Sequence, residues 1–187
     1  MEKFQVAGIC GSLRAGSFNR MALTMAGELM PESTHLEIED WRKFPVYDHD
    51  VQTVGIPSAV QKFAGRIRCA DAVLFATPEY NFSLPGGFKN VIDWISRVEN
   101  QPFANKPVAL LSAATGQLGG ARVQYELRRV MVSLNAIVMG RPEVFIGFAQ
   151  NKFDPDGNCT DMATREIVSA QMAAFARWIQ RVKAMQQ

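Results

Sequence analysis

The sequence predicts an α/β protein of three layers, in which helices cover both faces of a five-stranded parallel sheet of order 2-1-3-4-5. Hydrophobic runs alternate along the chain with longer segments of helical periodicity, which is typical of a doubly wound sheet. Residues 73–76 and 108–111 are apolar at every position, as expected of central strands covered on both sides. In this strand order the sheet reverses direction between strands one and three, and a crevice opens at their carboxyl ends. We therefore expect the function to reside in the loops after these two strands.

Each element follows from its local pattern. The predicted strands are Phe4–Ile9, Leu36–Glu39, Ala72–Thr77, Val108–Ala113 and Ala136–Met139, with Val144–Ile146 as an extension of the last. The predicted helices are Asn19–Met30, Ser58–Arg68, Phe88–Val98, Ala121–Leu134 and Asp161–Met185. In the last helix apolar residues recur at three- and four-residue steps, which predicts a stripe that packs on the sheet. The members of this stripe are Ile167, Ala170, Ala174, Trp178 and Val182.

Composition narrows the class of protein. The 187 residues suit a single domain, 1–187, with a full hydrophobic core, and no repeat or linker divides them. Twenty basic and eighteen acidic residues leave a net charge of +2, which argues against binding to nucleic acid or a membrane surface. The N-terminus lacks the pattern of a signal peptide. We therefore expect a cytoplasmic protein.

The cysteines and histidines indicate neither a disulfide framework nor a metal site. Cys10, Cys69 and Cys159 are odd in number and widely spaced, and we expect Cys10 and Cys69 to be small buried hydrophobic residues. The segment Asp48-His49-Asp50 is interpreted as a solvated loop, because metal sites usually need three or four ligands. No metal is expected.

The loop after strand one, residues 11–20, has the composition of a phosphate-binding loop. Its glycines allow backbone N–H groups to approach an anion, Ser12, Ser17 and Asn19 offer further donors, and a helix follows at once. Arg14 adds a forked cation that suits phosphate oxygens. The alternative is an ordinary glycine turn with a serine helix cap. The sequence has neither a Gly-x-x-x-x-Gly-Lys-Ser/Thr nor a Gly-x-Gly-x-x-Gly motif, so a single phosphomonoester such as that of FMN fits better than ATP.

The loop after strand three, residues 77–90, combines rigid and aromatic residues. Two prolines stiffen it, and Glu79, Tyr80 and Asn81 offer hydrogen-bonding groups and an aromatic face beside the crevice. A flat heterocycle with polar edges would fit there. The alternative is a structural loop whose aromatic residues fill the core.

These motifs together resemble the NADPH-dependent FMN reductase family, which includes soluble quinone, azo-dye and chromate reductases. The first motif is carried by Gly11-Ser12-Leu13-Arg14, Ser17 and Asn19. The second is carried by Pro78-Glu79-Tyr80-Asn81, Ser83, Pro85-Gly86, Lys89-Asn90, Asp93-Trp94 and Ser96-Arg97. A third block runs from Lys106 to Ala113 and leads into Thr115-Gly116 and Gly119-Gly120. The likeness extends over about residues 4–145 and implies a flavodoxin-like fold.

The resemblance also implies a role for each matching residue. Ser12, Arg14, Ser17 and Asn19 would hold the FMN phosphate, with Phe18 beside them. Pro78, Glu79, Tyr80 and Asn81 would line the ribityl chain and the ring. Ser112 and the turn with Thr115, Gly116, Gly119 and Gly120 would close the other side. The segment Phe44–Asp48 resembles a rim or subunit-contact loop of the family.

The activity that this resemblance implies is transfer of reducing equivalents from NADPH or NADH, through FMN, to a quinone-like small molecule or another acceptor. A homodimer or homotetramer is expected. No acid or base is obligatory; Tyr80 is either a ring wall or a proton donor, and Arg97 either forms a surface ion pair or reaches the nicotinamide cofactor. The alternative function is a non-enzymatic flavodoxin-like electron carrier or a flavin-binding regulatory protein.

Overall fold

The computed structural model of the protein describes residues 3–186, which build a sheet of six parallel strands. The strands are β1 (Phe4–Cys10), β2 (Thr34–Glu39), β3 (Ala72–Ala76), β4 (Pro107–Ala113), β5 (Ile137–Val138) and β6 (Val144–Ile146). Their order is β2-β1-β3-β4-β5, and β6 also pairs with β4. The predicted strand order and the flavodoxin-like arrangement are confirmed.

The carboxyl ends of the central strands meet at one edge of the sheet. Cys10, the last residue of β1, lies opposite Ala76, the last residue of β3. Ala76 in turn lies opposite Leu111 of β4. The register therefore brings the loops after β1, β3 and β4 to the same place, where the order of the strands reverses.

The outer strand beside β4 is built from two short pieces. β5 pairs with Pro107 and Val108 at the start of β4, whereas β6 pairs with the end of β4, from Leu111 to Ala113. The prediction that Val144–Ile146 extends the last strand holds in this sense. The interruption between the pieces leaves β6 to support the turn that follows β4.

The helices are α1 (Phe18–Glu28), α2 (His49–Val54), α3 (Ser58–Cys69), α4 (Gly86–Ile95), α5 (Ala121–Ser133) and α6 (Met162–Met185). A single turn of 3₁₀-helix covers Ala149–Asn151. The five predicted helices are present, with ends that differ by up to three residues. The short helix α2 was not predicted, and in it Asp48 accepts the backbone N–H of Asp50 at 2.8 Å. Asp48 thus acts as a helix cap.

Two hydrophobic layers enclose the sheet. Helices α1 and α6 pack on one face, and α3, α4 and α5 pack on the other. Successive residues of β4 alternate between the layers, because side chains along a strand point to opposite faces. Ala109 and Leu111 contribute to the first layer, Val108 and Leu110 to the second. The strand is buried throughout, as its apolar sequence predicts.

The stripe predicted for α6 was wrong at its first two members, and its last three do pack on the core. Ile167 and Ala170 are exposed, whereas Ala174 and Trp178 are partly buried against the core. The most deeply buried apolar residues of the helix form a stripe that shares only Val182 with the predicted one. They are Val168, Met172, Phe175, Ile179 and Val182. Both stripes repeat at three- and four-residue steps, so periodicity alone did not distinguish them.

The burial predicted for one cysteine was also wrong. Cys10 is buried, but Cys69 is exposed at the end of α3. Ile67 and Ala70 on either side are buried in the core layer, so Cys69 lies on the solvent-facing side of the helix, next to the exposed Arg68. Among residues 3–186, no helix is both long and apolar enough to cross a membrane.

Candidate cofactor site

A cleft of about 190 Å³ lies at the edge of the sheet where the three loops meet. Its predicted lining residues are Ser12, Arg14, Ser17, Phe18, Asn19, Pro78, Glu79, Tyr80 and Thr115. Ala113 and Ala114, at the end of β4, complete it. The structure thus brings together residues separated by about a hundred positions in the chain.

The first loop presents free donors to this cleft. Ser17 caps α1, and its hydroxyl accepts the backbone N–H of Arg20 at 3.3 Å. The first N–H groups of a helix have no partner within the helix, and Phe18 and Asn19, the first two residues of α1, line the cleft. Together with the dipole of α1 they form a site that suits an anion.

Arg14 is folded back onto its own loop. Its Nε donates to the carbonyl of Gly16 at 3.0 Å, and its guanidinium lies 5.6 Å from the centre of the Phe18 ring. The side chain is exposed. A short rotation would therefore release the guanidinium toward an anion at the start of α1.

Asn19 joins the first loop to the end of β4. Its side-chain amide donates to the carbonyl of Ala113 at 2.8 Å, and its side-chain oxygen accepts the N–H of Ala113 at 2.9 Å. Asn19 is buried, so its side chain cannot bond to water, and these two hydrogen bonds satisfy its polar groups instead. The amide contributes to the shape of the cleft and is already paired on both sides.

The second loop forms a tight hairpin turn. Tyr80 and Ser83 exchange backbone hydrogen bonds of 3.0 Å in both directions. Asn81 and Phe82 between them have φ angles of 50° and 65°, as a type I′ turn requires. The turn leaves Tyr80 and Phe82 exposed by 51% and 66%. An aromatic surface therefore stands at the mouth of the cleft.

Glu79, just before this turn, is held by α5. Its carboxylate accepts Nε of Arg122 at 2.6 Å and the backbone N–H of Val123 at 3.3 Å. The carboxylate is thus already paired within the protein. Arg122 lies outside the sequence motifs, and sequence reasoning missed it; its position in the first turn of a predicted helix gave no signal.

Ser112 supports the third turn from beneath. Its hydroxyl donates to the carbonyl of Gly119 at 2.6 Å and accepts Nε2 of Gln124 at 2.8 Å. Ser112 is fully buried. Gly119 has a φ of 58°, and a Cβ on it would lie 2.6 Å from the carbonyl carbon of Phe145. The packing of this turn against β6 therefore requires glycine.

The same turn leaves backbone donors open. The N–H groups of Thr115, Gly116 and Gln117 donate to no acceptor among residues 3–186. All three residues are exposed. Successive free N–H groups of this kind suit an anion or a polar ring edge.

Several predicted site residues lie outside the lining of the cleft. They are Asn81, Ser112, Gly116, Gly119 and Gly120. Asn81 occupies the tip of the hairpin turn, and the other four belong to the turn after β4 or to its support. Direct contact of these residues with a flavin stays a prediction.

The loop after β2 buttresses the first loop, which sequence reasoning also missed. The indole N–H of Trp41 donates to the carbonyl of Cys10 at 2.8 Å, and Nη2 of Arg42 donates to the carbonyl of Leu13 at 3.2 Å. The sequence did place Trp41 and Arg42 just after a predicted strand, at the same edge of the sheet as the first loop. This position could have indicated that they contact that loop. They fix the backbone on which Ser12 and Arg14 stand.

Other residues of the second motif act away from the cleft. Asn90 donates to the carbonyl of Pro45 at 2.8 Å and accepts the N–H of Tyr47 at 2.7 Å, while the buried Trp94 donates to Pro45 at 2.9 Å. The guanidinium of Arg97 lies 5.5 Å from the centre of the Tyr47 ring. This part of the motif therefore anchors the loop that follows β2.

Cys10 ends β1 directly beneath the first loop. Burial raises the pKa of its thiol, and a backbone hydrogen bond with Ser12, the Ser17 hydroxyl and the charges of Arg20 and Arg42 oppose this only in part. The thiol therefore stays protonated and unreactive at neutral pH.

The strand order defines a flavodoxin-like α/β protein, and the cleft lies where that order reverses, which is where sheets of this class bind their ligands. The chain belongs to the NADPH-dependent FMN reductase family, whose model matches residues 4–151.

Three similar proteins illustrate this membership. The chain is 46% identical over 182 residues to the NAD(P)H-dependent FMN reductase PA1204 of Pseudomonas aeruginosa, covering 97% of this chain and 98% of the relative. It is 46% identical over 185 residues to a quinone reductase of Escherichia coli, with the same coverage. Among solved structures, FerB, a flavoenzyme NAD(P)H:(acceptor) oxidoreductase of Paracoccus denitrificans, superimposes with a TM-score of 0.87 at 31% identity, covering 95% of this chain and 98% of FerB.

Proposed function

We propose that this chain is an FMN-dependent NAD(P)H oxidoreductase that passes two electrons to a quinone-like acceptor or a similar small molecule. The observation that carries the proposal is that three loops converge on one cleft, which has anion-binding groups at one place and an aromatic side chain at another. Anion-binding groups gather at the start of α1, and the exposed Tyr80 stands on the hairpin turn after β3. A phosphorylated flat heterocycle matches both. Family membership and the relatives named as FMN and quinone reductases support the proposal.

The residues of the first loop would hold the phosphate. Ser12 and Ser17 offer hydroxyl groups, the start of α1 offers backbone N–H groups, and Arg14 would turn from the Gly16 carbonyl to the anion. Asn19 would keep the loop against β4 through its pair with Ala113. Bound FMN supplies the redox chemistry of the reaction.

The other two loops would bind and tune the ring. Pro78 and Tyr80 would provide the apolar surface, and the free N–H groups of residues 115–117 would stabilise negative charge on the ring edge. Ser112, Gly119 and Gly120 would act by fixing that turn. Substituting Tyr80→Phe separates the two roles open to Tyr80: a ring wall keeps kcat unchanged, whereas a proton donor loses turnover.

The decisive experiment uses the purified protein, FMN and NADPH under anaerobic conditions. We expect a yellow complex whose flavin absorbance bleaches on addition of NADPH and recovers on addition of p-benzoquinone. A yellow complex that NADPH does not bleach would indicate an electron carrier instead. A protein that binds no FMN would contradict the proposal. Parallel titrations with NADH determine the preferred donor, and azo dyes and chromate extend the test of acceptors.

The assembly and location are proposed with it. From the family resemblance we expect a homodimer or homotetramer, and the exposed Val46 and Val54, which lie beside and in α2 and are exposed by 83% and 92%, are candidates for burial in its interface. Light scattering of the FMN-loaded protein tests this, and a monomer would contradict it. The single sheet with two core layers supports one domain over residues 1–187, and the free cysteines fit a reducing cytoplasm.

A further inference from the structure

The hairpin turn after β3 contains a residue in an unfavourable conformation. Phe82 has a φ of 65°, in the left-handed region that bulky side chains rarely adopt. Such a conformation persists only where the surroundings hold it. The two backbone hydrogen bonds between Tyr80 and Ser83 close the turn, but they do not involve the side chain of Phe82.

Arg122 of α5 contacts the Phe82 ring. Its guanidinium lies 3.9 Å from the centre of that ring, within the range of a favourable cation–π interaction. The same guanidinium pairs with Glu79, with Nη2 2.6 Å from Oε1. One side chain of α5 therefore binds the residues on both sides of Tyr80.

The position of Arg122 is itself fixed by Glu79. The carboxylate of Glu79 accepts the N–H of Val123 at 3.3 Å. The cap residue of α5, Gly120, offers no side-chain cap, so Glu79 satisfies a donor of the first turn from another segment. The side chain of Glu79 is only 9% exposed, whereas that of Arg122 is 48% exposed, so the carboxylate is the shielded member of the pair.

From these contacts we infer that Arg122 is a positioning residue, which acts with Glu79 and Phe82 to hold Tyr80 at the mouth of the cleft. We call the contacts of Arg122 with Glu79 and Phe82 the clamp. The clamp is a property of the FMN-free protein, whereas the effect of the turn on the flavin and the acceptor rests on the proposed function. Without Arg122 the turn would keep only the hydrogen bond from the Val123 N–H to Glu79 as its link to α5, and the unfavourable φ of Phe82 would relax.

Amide hydrogen exchange of the FMN-free protein tests the clamp directly. In Arg122→Gln we expect the amides of Tyr80 and Ser83 to exchange about tenfold faster than in the wild type, since a charge-assisted hydrogen bond is lost. The matched control is Arg129→Gln, because Arg129 lies on the same helix and pairs with Glu126 on the surface at 3.3 Å. Unchanged exchange in Arg122→Gln, or equal acceleration in the control, would overturn the inference.

A second substitution separates strain from a general loss of stability. Phe82→Gly creates an Asn-Gly pair, which adopts a type I′ turn without strain. Combined with Arg122→Gln, it should return the exchange of Tyr80 and Ser83 to about the wild-type rate. If the double variant exchanges as fast as Arg122→Gln alone, the turn does not depend on support of Phe82, and the inference fails.

Kinetics of the FMN-loaded enzyme provide the functional readout. With NADPH and p-benzoquinone, Arg122→Gln should raise the KM for the quinone about tenfold while FMN stays bound, and the double variant should recover part of it. An unchanged KM beside accelerated exchange would contradict the part of the inference that concerns the cleft. Absence of FMN binding in the wild type would contradict the proposed function and leave the exchange result intact.

Discussion

Gly11 and Thr77 lie against each other where β1 and β3 leave the sheet. The N–H of Gly11 donates to the carbonyl of Ala76 at 2.8 Å. A Cβ on Gly11 would stand 2.3 Å from Oγ1 of Thr77 and 2.7 Å from its Cβ, a distance that no side chain tolerates. The close approach of the loops after β1 and β3 therefore requires glycine at position 11.

Replacing Gly11 by alanine should therefore separate the loops. We expect Gly11→Ala to lower the free energy of unfolding by about 1–3 kcal/mol, as overpacking of a core does, and to weaken FMN binding. Urea unfolding and a flavin titration measure the two effects. Gly16→Ala is the matched control, since its Cβ would meet only Arg14 nitrogens, the nearest at 3.7 Å. Equal stability of the two variants would refute the argument.

The pair between Asn19 and Ala113 predicts a larger effect than a surface amide would show. Asn19→Ala leaves a buried N–H and a buried carbonyl without partners, and we expect a loss of about 1–3 kcal/mol in the free energy of unfolding. Asn19→Asp keeps the acceptor but places a carboxylate beside the carbonyl. The free energy of unfolding of Asn19→Asp should rise as the pH falls, because the protonated carboxyl group can donate to the Ala113 carbonyl. Urea unfolding at neutral and acidic pH would contradict this if both variants matched the wild type.

Arg14 should matter only when an anion is bound. We expect Arg14→Ala to raise the FMN dissociation constant about tenfold, the lower end of a charge-assisted contact, because the side chain is exposed. Its free energy of unfolding without FMN should stay close to that of the wild type. Added salt should weaken FMN binding to the wild type more than to Arg14→Ala. The exposed Arg181 in α6 provides the control, and an equal effect of Arg181→Gln would point to general charge.

Glu39 should make stability depend on pH. Its side chain is 3% exposed and pairs with Arg66 at 2.7 Å. Burial raises the pKa of Glu39 above its ordinary value of 4.5, and the Arg66 hydrogen bond and charge oppose this only in part. At a pH between the ordinary pKa and the raised pKa of Glu39, the folded state holds more protons than the unfolded state. Glu39 therefore contributes stability at low pH that is lost as the pH rises.

Glu39→Gln removes this titration. The free energy of unfolding of the variant, relative to the wild type, should increase from about pH 4 to pH 7. Urea unfolding across this range measures the difference, with Glu32→Gln, at an exposed position in the loop before β2, as control. Parallel profiles of Glu39→Gln and the wild type would show that Glu39 titrates alike in both states.

The strands and the site loops could be predicted because their signals are local. Residues 73–76 and 108–111 are apolar on both faces, which is typical of a covered central strand. Ser17 caps α1 from the adjacent position, and the loop residues line the cleft because parallel strands end at one edge. The strand order and the place of the cleft thus followed from composition and sequence spacing.

Only the tertiary structure decided which distant groups pair. Asn19 binds Ala113, 94 positions away, and Glu79 binds Arg122, 43 positions away. The buried face of α6 and the exposure of Cys69 were likewise decided by packing. Local propensity extends over a few residues, whereas a hydrogen bond or a packed face depends on which segments the sheet brings together. The sequence by itself determined the framework and the place of the cleft, and the three-dimensional arrangement determined which side chains line the cleft and which support those that do.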